Sequence, residues 1–143
     1  MRKLILASHG SLAGGMLSAA RMIIGACDDI ETYDLDHYES PQQIYEILKT
    51  RLKDEDSDYI ILCDINGGSV HNQLMQLMDQ RNVYLVTGMS LSMVLELKLA
   101  QPSEDTLTLL KKVISSAKEH TMLYDHDSVW KQIKEETEEE ELW

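Results

Sequence analysis

The sequence of 143 residues is poor in cysteine, in positive charge and in long apolar runs, and each shortage excludes a class of protein. Its two cysteines, Cys27 and Cys63, have no C-x-x-C spacing and no histidine cluster beside them, which leaves neither a disulfide framework nor a zinc site. They read as reduced thiols in the core of a cytoplasmic protein. No apolar run approaches the roughly 20 residues of a membrane span, and MRKLILASHG at the N-terminus has too short an apolar core for a signal peptide. A soluble, unprocessed chain is therefore expected. With 13 lysines and arginines against 25 acidic residues, the net charge is -12, so a nucleic acid would be repelled at long range and basic protein partners are favoured.

Three signatures are also missing: G-x-x-x-x-G-K-[ST], G-x-G-x-x-G and G-x-S-x-G. Nucleotide, dinucleotide and serine-hydrolase sites thus lose their usual supports. His37, His120 and His126 stand in no carboxylate or cysteine spacing that suggests a metal site, and no metal or other cofactor is expected. There is no internal repeat and no linker, so the length implies one domain, able to bury about two thirds of the surface of its unfolded chain.

What the sequence does contain is an alternation of short apolar runs with segments of helical period, the pattern of an α/β domain with a mainly parallel sheet and helices on both faces. Strands are expected at Lys3–Ala7, Glu31–Leu35, Tyr59–Cys63 and Val83–Thr87, with a weak fifth at Thr121–Tyr124. The third is apolar throughout, which points to burial on both faces. Met16, Leu17, Ala20, Ile23 and Ile24 mark a first helix ending at Gly25. Ser40-Pro41 caps a second, carrying Ile44, Ile47, Leu48 and Leu52 on one side. A third, with Leu74, Leu77 and Met78, follows Asn66-Gly67-Gly68-Ser69, with Ser69 placed to cap it at about Val70. A fourth spans Leu91–Ala100, and Ser103 can cap a fifth reaching about Glu119. The domain is expected over 1–125. Residues 126–143 form an acidic helix or tail, where KQIKEETEEEELW sets six glutamates against two lysines. Such a run is a solvated tail, a frayed helix or an acidic docking element.

In an open parallel sheet, ligands bind where the strands end. His9, Asp64 and Thr87 stand at three such ends, and the first two belong to strands expected to be neighbours, about 5 Å apart. A carboxylate on one ring nitrogen fixes the tautomer and raises the basicity of the other, making it a nucleophile or general base. Gly67 and Gly68 permit a tight path, and backbone N–H groups at the following helix start suit an anion. Each part also has an ordinary reading: a histidine before glycine can be a turn residue, and D-x-N-G-G-S is common turn and cap chemistry. His71, in the first turn of the third helix, either lines the same edge or is a solvated helix histidine.

Four blocks in order carry a resemblance: Ser8-His9-Gly10, Ala20-Arg21-Met22-Ile23-Ile24-Gly25, the stretch L-C-D-I-N-G-G-S-V-H-N over 62–72, and Val86-Thr87-Gly88-Met89-Ser90-Leu91-Ser92-Met93. Over roughly Met1–Tyr124 the chain resembles the enzyme IIA component of the mannose class (mannose, fructose, sorbose) of the bacterial sugar phosphotransferase system. The resemblance implies that His9 takes a phosphoryl group from HPr and passes it to a histidine of enzyme IIB. By the same transfer Asp64 orients and charges the His9 imidazole, while Ser69 and the backbone of Gly67 and Gly68 contact the phosphoryl oxygens. It implies no metal or nucleotide, a separate IIB chain, contact with the membrane only through IIC and IID components, and a homodimer in which the last strand crosses into the partner's sheet. Relatives commonly carry tryptophan, proline and an aromatic where this chain has Asn66, Val70 and His71, positions that rim the pocket. Two other readings are the phosphotransfer subunit of a dihydroxyacetone kinase and a regulatory module that senses phosphorylation without passing phosphate on.

Overall fold

The computed structural model describes residues 1–141. Four strands, β1 (Arg2–Ser8), β2 (Glu31–Asp34), β3 (Asp58–Cys63) and β4 (Val83–Val86), form a sheet in the order β2-β1-β3-β4, with every neighbouring pair parallel. Parallel strands need crossovers, and three helices supply them: α1 (Leu12–Ile24), α2 (Pro41–Arg51) and α3 (Ser69–Leu74, continued by a 3-10 turn over Met75–Asp79), while α4 (Leu91–Leu99) follows the last strand. Beyond the sheet run α5 (Thr106–His120) and α6 (His126–Glu141).

Because successive side chains of a strand point to opposite faces, an unbroken apolar run fills two cores at once. Leu6, Ile60 and Leu62 join Leu17 and Ala20 of α1, Val94 of α4 and Leu109 of α5 on one face. Ile5, Ala7, Ile61 and Cys63 join Ile44 and Leu48 of α2 and Leu74 of α3 on the other. Each fully buried leucine or isoleucine contributes ~1.5–3 kcal/mol relative to exposure. Both cysteines are free and buried.

Several element ends follow from local chemistry. Gly25 closes α1 at φ 81, a value few other residues adopt, and its N–H donates to the Arg21 carbonyl. Ser40 caps α2, accepting from the Gln43 N–H, with Pro41 in the first helical position.

Other expectations are corrected. Asp105, not Ser103, caps α5 by accepting from the Thr108 N–H. Ile23, Ile47 and Met78 lie exposed, each one position off the stripe that faces its core. Within this one chain Thr121–Tyr124 pairs with no strand among the described residues, and its residues are exposed, Leu123 by 87%. The acidic segment is helical over its described length, buries none of its side chains, and leaves Trp130 and Ile133 exposed. The last two residues of that segment, 142 and 143, lie outside the described residues.

Candidate functional site

The strand order reverses direction between β1 and β3: the chain leaves β1 toward β2, then crosses back to β3 and continues to β4. Such a switch point opens a crevice at the carboxyl ends of the two strands. The register pairs Ala7 with Cys63, so the residues just beyond, His9 and Asp64, come together.

Asp64 Oδ2 lies 2.8 Å from His9 Nδ1 and also accepts the backbone N–H of His9 at 2.9 Å. Its other oxygen accepts the Ile65 N–H at 3.0 Å. Burial pushes the Asp64 carboxyl up, but the hydrogen bonds from the His9 backbone and ring, the His9 charge and the Ile65 N–H outweigh it and hold the group below the usual carboxylate range. An ionised carboxylate only accepts, so Nδ1 is the donor and carries the ring proton. Nε2 then presents its lone pair, and the Ser69 hydroxyl, 2.9 Å away, donates to it.

The surroundings are asymmetric, with the Asp64 side chain 10% exposed and that of His9 42%. The carboxylate side is closed and the Nε2 side opens to solvent. Gly68 brings its Cα against the ring: a Cβ built there would stand 3.0 Å from His9 Cε1 and 2.6 Å from Ile65 Cγ2. Gly67 makes the preceding turn at φ +79. The structure thus brings His9, Asp64, Gly68 and Ser69 together. Thr87, just past the end of β4, has no side-chain hydrogen bond to them among the described residues.

Ser69 does not cap α3. The N-cap is Gly68, Ser69 is the first helical residue, and its hydroxyl turns toward His9 instead. One of the glycines after His9 is also accounted for: the Gly14 N–H donates to Asp34 Oδ1 at 2.8 Å, and beside it the Ala13 N–H donates to Ser8 Oγ at 2.7 Å. A Cβ at Gly14 would come 2.5 Å from Asp34 Oδ2, so glycine is needed for this approach. Two early amides of α1, those of Ala13 and Gly14, are thereby occupied by side chains, and that of Leu12 goes to the His9 carbonyl, while the Ser69 hydroxyl is the donor facing His9 Nε2. Asp34 carried no sequence signal for this part. His71, left between two readings, proves to accept the Gly67 N–H through Nδ1 at 3.0 Å.

An imidazole with one nitrogen pinned to a carboxylate and the other open, beside a hydroxyl, has the chemistry of a nucleophile or general base at Nε2. A sequence model of the mannose-type enzyme IIA family, described as the fructose IIA component of the phosphotransferase system, matches residues 3–114. The chain belongs to that family.

Solved structures of similar proteins include the phosphotransferase system component EIIA of Streptococcus agalactiae, with 25% identity and a TM-score of 0.77 over 90% of this chain and 99% of that one. The mannose/sorbose-specific IIA subunit of Enterococcus faecalis is 26% identical, with a TM-score of 0.70 over 87% and 96%. A Klebsiella pneumoniae protein, provisionally described as a phosphoenolpyruvate-dependent sugar phosphotransferase system permease, is 26% identical, with a TM-score of 0.77 over 85% and 90%. As a component of that system the chain is of the phosphotransferase kind. No helix among its described residues is long and apolar enough to cross a membrane.

Proposed function

We propose that the chain is a phosphocarrier that takes a phosphoryl group from phospho-HPr onto His9 Nε2 and delivers it to a histidine of an enzyme IIB. The observation that supports this most is the single hydrogen-bonded line from Asp64 through His9 to Ser69. In the step, the Nε2 lone pair attacks phosphorus while the bond to the carrier's histidine nitrogen breaks and its electron pair returns to that ring. The Nδ1 proton stays on His9, and Asp64 balances the positive charge that builds on the imidazole. Ser69, released from Nε2, donates to a phosphoryl oxygen, with the Gly67 and Gly68 backbone beside it. Little covalent chemistry is needed, because positioning and charge balance supply most of what such transfers require.

A protein is the natural donor and acceptor for this site. His9 stands on an open surface rimmed by Leu12, 47% exposed, and Ile65, 56% exposed, an apolar margin suited to docking. The charge of -12 favours encounter with a basic partner. A homodimer completes the reading. The exposed Met122, Leu123 and Tyr124 would gain a ladder by adding to the β4 edge of a second copy, and the protein would sediment at twice its mass of 16.3 kDa. Sedimentation at the single mass would refute that part.

Incubation with enzyme I, HPr and labelled phosphoenolpyruvate is expected to place acid-labile phosphate on His9, and label that persists in His9→Ala would sink the proposal. Delivery onward to a mannose-class IIB, and not to a dihydroxyacetone kinase, is the expected second stage. Phosphate that never leaves the chain would favour a regulatory module.

A further inference from the structure

We infer that His71 is a positioning residue that holds the glycine turn against His9, an inference that rests on the phosphocarrier reading above. Gly67 turns the chain at φ +79, and both its polar atoms are tied to α3. Its N–H donates to His71 Nδ1 at 3.0 Å, and its carbonyl accepts from Asn72 Nδ2 at 3.1 Å. The next carbonyl, of Gly68, accepts the Asn72 backbone N–H at 2.9 Å. Immediately beyond stand the two groups that meet the imidazole, the Gly68 Cα and the Ser69 hydroxyl. Any rotation at Gly67 therefore reaches both within two residues.

The clamp requires a particular form of His71. Because Nδ1 accepts, the ring proton sits on Nε2. Glutamate or glutamine more often reaches back to an amide from this position of a helix. A carboxylate there would bring negative charge beside an incoming phosphoryl group, whereas an imidazole accepts the same bond while uncharged.

Two variants of the full chain separate positioning from bulk. His71→Phe keeps a flat ring and removes the acceptor. His71→Asn puts Oδ1 where Nδ1 stands. In single-turnover transfer from phospho-HPr, His71→Phe is expected to lower kcat about tenfold with KM for phospho-HPr within about twofold, and His71→Asn to return kcat to within about threefold of wild type. Hydrogen exchange of the Gly67 amide, followed by NMR, should speed up at least about tenfold in His71→Phe and stay slow in His71→Asn. Wild-type kcat in His71→Phe, equal loss in His71→Asn, or unchanged Gly67 exchange in His71→Phe each overturns the inference. A wild-type chain that takes no phosphate on His9 overturns the phosphocarrier reading instead, and the exchange measurement still decides whether the clamp exists.

Discussion

Replacing Asp64 with alanine takes the acceptor away from three donors at once: the His9 ring, the His9 backbone N–H and the Ile65 N–H. The ring loses a hydrogen bond to an ionised partner, worth ~1.5–3 kcal/mol. If that interaction is fully felt as charge builds on the imidazole, transfer from phospho-HPr slows by about 10- to 150-fold. Asparagine refines the test. In one orientation its oxygen replaces Oδ2, keeps both His9 donors, and sets its amide hydrogens against the Ile65 N–H alone. In the other it opposes both His9 donors and forces the wrong tautomer. The first orientation has fewer conflicts, so Asp64→Asn keeps Nε2 unprotonated and removes mainly the charge, with an expected loss of about tenfold. Rapid-quench measurement with labelled phospho-HPr gives both rate constants. Transfer by Asp64→Ala within twofold of wild type would refute the argument that the carboxylate tunes the ring.

Gly68→Ala keeps an ordinary backbone, at φ -70, but drives a methyl group toward His9 Cε1 and Ile65 Cγ2. Overpacking of this kind costs ~1–3 kcal/mol, so a fall of about tenfold in transfer is expected, with Tm only a few degrees lower; an unchanged rate would mean that the turn yields freely. Asp64 also shapes acid stability. Its folded-state pKa lies below the unfolded value, so its contribution is fully present above about pH 4 and is lost as pH falls through the folded value. The decline of Tm below pH 4 should accordingly be shallower in Asp64→Asn than in wild type, and parallel curves would contradict the sign.

Much of the sheet was legible in the sequence because burial on both faces leaves an unbroken apolar run, as in Tyr59–Cys63, that few other environments tolerate. The meeting of His9 and Asp64 was legible too, once their strands were taken as neighbours. Ser69 was misread because a helix beginning at 69 or at 70 looks alike in sequence, while a shift of one residue swings the side chain by about 100°. Ser103 and Asp105 present the same ambiguity of two good caps within three positions. Ile23, Ile47 and Met78 fit a helical stripe on paper, yet the width of the buried face depends on what packs against it.

By itself, then, the sequence determined the alternation of elements, the two-sided core and the pairing of a histidine with a carboxylate at adjacent strand ends. These depend on local periodicity and on short-range chemistry. Tertiary structure decided the tautomer of His9, the turn of Ser69 away from the helix cap, the capture of the Gly14 amide by Asp34 and the hold of His71 on Gly67. Each of these depends on which donor lies within about 3 Å of which acceptor. Only the packed backbone sets that distance.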